Sequence, residues 1–291
     1  GQIVLSMVER APQGVSIIAL GRPQLDLART ETIAAAIRAS RPDIIVNAAA
    51  FTAVDLAERQ EVDAQLANGL AAGEVARAAA SLGVPVIQIS TDYVFDGSLD
   101  RPYRENDPVG PISAYGRSKL AGESAVAAEN PNHVILRTAW VYSPFGNNFV
   151  NTMLRLGGER DEVSVVDDQF GNPTSAFDIA DGIYCVAANL LASPGDPRLR
   201  GIFHMTANGE ASWAGVAQAV FAEWEAAGGH PVTVKPIPTT AYPTPARRPT
   251  NSRLDCGLLA VRHQVMLPEW HPSLAACVRR LLTTQPAEKS K

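Results

Sequence analysis

Tyr115 and Lys119 stand four residues apart in "SAYGRSKLAGE", residues 113–123. On a helix that spacing puts both on one face. An ammonium beside a phenol favours the phenolate and lowers the phenol's pKa. Such a pair can give a proton to a substrate oxygen, or it can be an ordinary pair on an exposed helix face. Spacing alone leaves both open. A second stretch bears on the choice. In "ISTDYVFDG", residues 89–97, Ser90, Thr91, Asp92 and Tyr93 follow an apolar run that reads as a buried strand. A hydroxyl at a strand end plus Tyr-x-x-x-Lys on the next helix is a proton-transfer constellation. Tyr115 can donate to a carbonyl oxygen, Lys119 can hold its pKa down, and Thr91 can hydrogen-bond the same oxygen. Hydride must come from elsewhere, and a nicotinamide cofactor on the strand ends would supply it.

The elements that must position these groups are legible as a pattern. "VSIIAL" (15–20), "DIIVNAA" (43–49), "VPVIQIS" (84–90) and "HVILRTAWVY" (133–142) are short apolar runs rich in β-branched residues. Helical stretches at 30–40, about 62–82 and 115–128 separate them. Continuous apolar strands alternating with helices predict a parallel sheet covered on both faces, a Rossmann-type doubly wound α/β fold. Its ligands bind at the C-terminal ends of the strands. The second half is less regular: a strand at 162–168, a helix at 175–191, a strand at 201–207 and an amphipathic helix from 212, stopped by Gly228 and Gly229. Five prolines at 236–250 exclude a helix or central strand there. We read a smaller mixed C-terminal substrate-binding lobe closing over the sheet. The dinucleotide-binding part takes 1–142 plus about 167–192, and the lobe takes about 143–166 plus 193–291.

Composition narrows the function. The 291 residues are 46% hydrophobic and 19% charged, as in a globular protein with a sizeable core. A net charge of −5 argues against a nucleic-acid binder. Cys185, Cys256 and Cys277 are odd in number and widely spaced, so they predict reduced thiols in a cytoplasmic protein. The five histidines do not cluster at ligand spacing, and no metal site is expected. No apolar run reaches the length of a membrane helix. The closing "TTQPAEKSK" is polar and reads as a frayed end. The opening "GQIVLSMVER" reads as a helix start, whereas such a fold begins with a central strand and glycine loop. Residues upstream of Gly1 are therefore expected in the natural gene product.

Six blocks in order, "RPDIIVNAAAFTAVDLAE", "STDYVFDG", "PISAYGRSKLAGE", "ILRTAWVYSPFGNNFV", "DDQFGNPTSA" and "RRPTNSRLD", resemble the extended short-chain dehydrogenase/reductases over nearly the whole chain. Within them the blocks resemble the nucleotide-sugar 4-ketoreductases. The resemblance implies NADPH-dependent reduction of the C4 keto group of dTDP-4-dehydro-β-L-rhamnose to dTDP-β-L-rhamnose. Tyr115 matches the proton donor, Lys119 its partner that also holds the nicotinamide ribose, and Thr91 the third catalytic hydroxyl. Gly1, Gln2 and Ile3 match the end of the phosphate loop, where helix N–H groups meet the pyrophosphate. Ala48, Ala49 and Ala50 match a strand end that lets the cofactor lie close, and Ser90 lies on its path. Asp26 and Leu27 in "QLDL" match the adenine side. Asp92, Tyr93 and Trp140 match positions facing sugar or nicotinamide, while Thr52 and Val54 line the same cleft. Gln169, Phe170, Arg247 and Asn251 are candidates for the nucleotide end of the substrate, Arg being suited to a diphosphate.

Two departures stand out. Val4 replaces the third glycine of the family's phosphate loop, and Ser6 replaces a glutamate through which some relatives bind magnesium. Cofactor choice is read at the second strand, which ends Gly21–Arg22 rather than in an acid. An Arg there suits a 2′-phosphate. NADPH is expected, with NADH accepted less well. Alternatives are another nucleotide-sugar ketoreductase or epimerase, or a non-catalytic binding protein like the regulatory subunit of methionine adenosyltransferase. The intact Thr91–Tyr115–Lys119 set argues against the last. Partners are expected to be a nucleotide sugar and a second copy in a homodimer, with neither nucleic acid nor membrane.

Overall fold

The computed structural model describes residues 1–284. Thr283 and Thr284 end the last helix, and the rest of the polar tail lies outside the described residues. The chain opens with α1 (Gln2–Arg10) and reaches α2 (Ile33–Ser40) through an irregular stretch. β1 (Ile45–Asn47) leads to α3 (Val54–Ala57) and then to a long helical run. That run comprises α4 (Glu61–Gln65), one π turn at Leu66–Leu70, and α5 (Ala71–Leu82). β2 (Val86–Thr91), α6 (Ala114–Glu129) and β3 (His133–Thr138) follow. Next come β4 (Val141–Tyr142), α7 (Phe149–Gly157), β5 (Glu162–Val166), β6 (Phe170–Gly171), β7 (Thr174–Ser175) and α8 (Ala176–Ala192). The chain continues through β8 (Gly201–His204), β9 (Ala211–Ser212), α9 (Trp213–Ala226) and β10 (Thr233–Ile237), and ends in α10 (Gly257–His263) and α11 (Trp270–Thr284).

The main sheet is parallel, in the order β1-β2-β3-β8. Its strands alternate as a sheet covered on both faces requires. Ile87, Ile89, Val134 and Leu136 point to α1 and α8, against Ile3, Met7, Ile179 and Ile183. Val86 and Ile135 point to the other face, against Ile33, Ile37, Val75 and Ala79 of α2 and α5. Toward the strand ends that second face turns polar, with Gln88, Ser90 and Arg137 all buried. A separate core joins α7, β5, α9 and α11 through Met153, Val165, Phe221 and Trp270.

Three expectations are corrected. "VSIIAL" (15–20) forms no strand, because no neighbouring strand takes up its backbone hydrogen bonds. Ile17 packs on the core beside Val46, while Ile18 is 59% exposed. The run at 133–142 is broken between β3 and β4 by Trp140, whose φ is +47°. The strand at Gly201–His204, inside the stretch expected to build the lobe, instead extends the main sheet beside β3. Pro236 lies in β10, which pairs with β5 alone and so tolerates the missing N–H. Among the described residues no helix is long and apolar enough to cross a membrane.

Candidate active site

The site forms where β2 ends and α6 begins. Thr91 closes β2, its hydroxyl donating to Asp92 Oδ1 (2.9 Å) and accepting from Tyr93 N (3.2 Å). Helix α6 starts one loop later. Ser113 caps it by accepting from Gly116 N (3.1 Å), and Glu58 accepts from Ala114 N (2.8 Å). The helix approaches the turn after β2 so closely that a Cβ on Gly116 would lie 2.2 Å from the Tyr93 carbonyl oxygen. Tyr115 consequently meets Tyr93 edge-on, with ring centroids 5.6 Å apart. Burial raises the Tyr115 phenol above its ordinary range, a hydrogen bond with Thr91 opposes that rise, and Asp92 adds to it. The expected lowering by Lys119 is not among these influences. Burial also pushes Asp92 up to about 6, with the Ser252 and Thr91 hydroxyls opposing.

Lys119 is buried, and Nζ donates to the Ile89 carbonyl (2.7 Å). That oxygen also accepts from Gln88 Nε2 (2.9 Å), and Gln88 Oε1 accepts from Asn47 Nδ2 (2.8 Å). β1 ends at Asn47 opposite Gln88, which leaves the Ile89 carbonyl free for the lysine. Burial lowers Lys119 to about 8, and Glu123 opposes that fall. On the other side of α6, Asn68 sits in the π turn. It accepts from Phe51 N (2.7 Å) and donates to Phe51 O (3.0 Å) and Ser118 Oγ (2.9 Å). Asn68 thus ties the loop after β1 to the helix carrying Tyr115 and Lys119.

The segments after β3 and β9 add an aromatic wall. Trp140 stacks on Trp213 with centroids 3.6 Å apart and planes 6° from parallel, and its Nε1 donates to Ser252 Oγ (3.2 Å). Phe149 leans on Trp213 at 4.7 Å. These three rings line a cavity of about 210 Å3, together with Gln2, Thr52 and Asn148. Phe51, the residue before Thr52, and Tyr115 both pack against Ala57, Ala64 and Ala114.

The structure brings many of the expected residues to these strand ends and sends others elsewhere. Helix α1 follows directly on Gly1. Ala48, Ala49 and Ala50 follow β1 with small, partly exposed side chains, and Arg22 is exposed. Small side chains after β1 and the buried Lys119 leave room and a charge at these strand ends. Ile3 contributes only backbone, since its side chain packs in the core. Gln2 Oε1 accepts from Ser143 Oγ (2.7 Å) and Asn148 Nδ2 (3.0 Å), so its amide oxygen holds the 143–148 loop. Asp26 Oδ1 closes a turn by accepting from Ala28 N (3.0 Å), and Leu27 packs against the α2–α5 core. The Ser90 hydroxyl turns inward to Glu123.

On the substrate side, Thr52 and Trp140 line the cavity, and Val54 opens α3. Asn251 is withdrawn. Its Nδ2 donates to Leu99 O (2.7 Å) and Arg101 O (2.8 Å) and its Oδ1 accepts from Arg253 N (3.1 Å), which leaves the amide with no free role. Gln169 is buried and donates to Thr239 Oγ1 (3.0 Å), while Phe170 remains exposed. Arg247 points to solvent; its neighbour Arg248 reaches Asp55 (2.9 Å) and influences Tyr93. Asp55, Trp213 and Ser252 were not singled out in the sequence. Asp55 and Ser252 sit inside quoted blocks, but nothing in the sequence signals Trp213, which is brought to Trp140 by the antiparallel β6–β9 pair. Among the described residues no group of three or more His, Cys, Asp or Glu could hold a metal ion. Ser6 is buried with its hydroxyl unpartnered.

The chain matches known proteins over nearly its whole length. A profile described as the RmlD substrate binding domain matches residues 1–283. The chain is 51% identical to the dTDP-4-dehydrorhamnose reductase of Sinorhizobium fredii, covering 97% of this chain and 95% of that protein. It is 44% identical to the enzyme of that name from Escherichia coli K12, covering 89% and 86%. Among solved structures, the dTDP-4-dehydrorhamnose reductase of Bacillus anthracis in complex with NADP superposes with a TM-score of 0.88 at 33% identity, covering 96% of each chain. The Clostridium acetobutylicum reductase gives 0.88 at 37% identity, covering 97% and 96%.

Proposed function

The chain belongs to the family described as the RmlD substrate binding domain, and from that premise we propose that it reduces dTDP-4-dehydro-β-L-rhamnose at C4 with NADPH. The product is dTDP-β-L-rhamnose, and the reaction is the last step of dTDP-rhamnose biosynthesis. The observation that carries the reading is the meeting of Thr91, at the end of β2, with Tyr115 on α6, one turn before the Lys119 held by the Ile89 carbonyl.

When bound, reduced nicotinamide supplies hydride to the keto carbon. The chain supplies the proton and the charge. Tyr115 gives its phenolic proton to the alkoxide forming at C4. Thr91, whose proton rests on Asp92 Oδ1, turns that proton toward the same oxygen. An ammonium has three donors, and the Ile89 carbonyl takes one. Lys119 therefore keeps two for the ribose and for the phenolate left on Tyr115. The start of α1 receives the diphosphate, and Arg22 pairs with the 2′-phosphate, so NADPH is used in preference to NADH. Trp140 and Trp213 wall the sugar side. Phe170, Arg247 and Arg248 face the nucleotide end.

The proposal extends to organisation. Residues 1–142 with about 167–192 and β8 bind dinucleotide; about 143–166 with the remainder of 193–291 hold the sugar nucleotide. The enzyme works in the cytoplasm as a homodimer. The 81% exposed Val62 and 55% exposed Leu70, two turns apart on one helical run, supply an apolar stripe for pairing. Absorbance at 340 nm tests the activity directly. Mixing the protein, NADPH and dTDP-4-dehydro-L-rhamnose should consume NADPH and form dTDP-rhamnose. A folded protein that binds NADPH but leaves the absorbance flat would refute the substrate.

A further inference from the structure

Trp140 is held in a pose that a large side chain rarely adopts. Its φ of +47° lies in the left-handed region. Such a pose persists only where the surrounding structure over-determines it. Here short segments far apart in sequence meet at the ring. Residues 250–252 run along β6: Phe170 N donates to Thr250 O (2.8 Å), and Ser252 N donates to Phe170 O (2.8 Å). β6 also pairs with β9, Gly171 opposite Ala211 and Phe170 opposite Ser212. Each segment delivers one contact. Ser252 Oγ accepts from the indole N–H (3.2 Å), and Trp213, the residue after β9, stacks on the ring at 3.6 Å. β6 itself presents the buried Gly171. A Cβ there would lie 2.4 Å from Trp140 Cε2, 2.6 Å from Nε1 and 2.8 Å from Ser252 Oγ. The backbone is tied down as well, since the Trp140 carbonyl accepts from Thr174 N (3.2 Å).

We infer that Gly171 is a positioning residue for Trp140: its bare backbone seats the edge of the indole and so sets where this wall of the cavity stands. The inference rests on the sugar-side role proposed for Trp140. An indole is rigid, and this one is stacked on a face, bonded through its N–H and fixed at its backbone. It cannot yield to a methyl group at position 171 by a small rotation, so the whole ring must move. The rings of Trp140 and Trp213 both line the cavity, and a displaced Trp140 changes its shape without touching Tyr115 or Lys119. A glycine kept only for strand packing would affect folding and leave the cavity as it is.

The test is a cycle of G171A, W140A and G171A/W140A beside the unmodified protein, read by steady-state kinetics, NADPH binding and melting temperature. In G171A, KM for dTDP-4-dehydro-L-rhamnose should rise roughly tenfold, with kcat and NADPH affinity little changed. In the W140A background the same change at 171 should move neither KM nor melting temperature, because no ring remains to be displaced and the Ser252 hydroxyl is free to rotate. A rise in KM that persists undiminished without the ring would overturn the inference. So would a G171A protein that melts earlier with its KM unmoved. Should G171A alone fail to fold, a folded G171A/W140A supports the inference and an unfolded one overturns it. If the unmodified protein reduces nothing, the proposed activity fails by itself, and the cycle in melting temperature still decides. A loss in G171A that is absent from the W140A background sustains the seating of Trp140 by Gly171, and an equal loss in both removes it.

Discussion

Arg248 and Asp55 join the Pro-rich loop of the smaller lobe to helix α3, with Nη2 2.9 Å from Oδ2 and Nη1 3.2 Å from Oδ1. The two residues are 193 apart in sequence. Arg248 also influences Tyr93, whose ring meets Tyr115 edge-on. The clasp is thus one ring removed from the phenol. Its side chains are 23% and 40% exposed, so the pair contributes only about 0–1 kcal/mol to folding. Its other effect is to hold that loop against α3, which follows the cavity-lining Thr52. Arg248→Met should raise KM for the nucleotide sugar by roughly tenfold, about 1.4 kcal/mol of binding, with kcat little changed. Steady-state kinetics beside a melting curve would check this, and an unchanged KM with a large fall in melting temperature would make the clasp a folding device.

Tyr115→Phe removes the proton and keeps the ring. Positioned acid catalysis is typically worth ~10²–10⁴, and kcat should fall by that much. NADPH affinity should hold, because Lys119 stays anchored to Ile89. Near-normal turnover would take Tyr115 out of its role.

Asp92 makes stability depend on pH in a defined direction. Burial raises its carboxyl from the ordinary 3.8 to about 6, so the folded state binds its proton more tightly than the unfolded state. The resulting stabilisation is complete below about pH 4 and is lost as pH rises toward 6. Two units correspond to about 3 kcal/mol at most. Asp92→Asn should flatten this part of the stability curve and raise the melting temperature at pH 7 relative to the unmodified protein. A curve that keeps its full slope between pH 4 and 6 would assign the titration to another group.

Gly122 is the contact point of α6 with the π turn. A Cβ there would lie 2.0 Å from the Asn68 carbonyl oxygen. Alanine gains about 1 kcal/mol of helix propensity but forces the two segments apart. Gly122→Ala should therefore lower the melting temperature despite that gain, and it should lower kcat as well, since Asn68 sets the loop after β1 against α6. A more stable protein with normal turnover would show that the helices separate freely.

The parallel sheet and the Thr91–Tyr115–Lys119 set were legible because each rests on local pattern: apolar runs of strand length, and an i, i+4 pair on a helix. Residues whose function depends on a partner far along the chain were less so. "VSIIAL" has the composition of a strand, yet a strand needs a ladder, and none is offered to it. Asn251 and Arg247 were chosen for the nucleotide end, but the backbone turns Asn251 inward and brings Arg248 rather than Arg247 to Asp55. Trp213 has the look of an ordinary apolar residue at a helix start, and only the β6–β9 pairing carries it to Trp140. The phenol pKa was expected to fall with Lys119 beside it. Burial raises it instead, with no lowering by Lys119, and burial lowers the lysine itself.

The Trp140–Trp213 stack has a use unrelated to catalysis. Two of the chain's four tryptophans lie face to face, one following β3 and the other opening α9. Indoles stacked at 3.6 Å couple their strong far-ultraviolet transitions, and the size of the resulting circular-dichroism signal depends on the twist between the rings. One ring follows β3 and the other opens α9, so the signal reports how those two segments are seated. Titrating unlabelled nucleotide sugar while recording that signal would follow closure of the cavity in solution, with the protein serving as its own optical gauge.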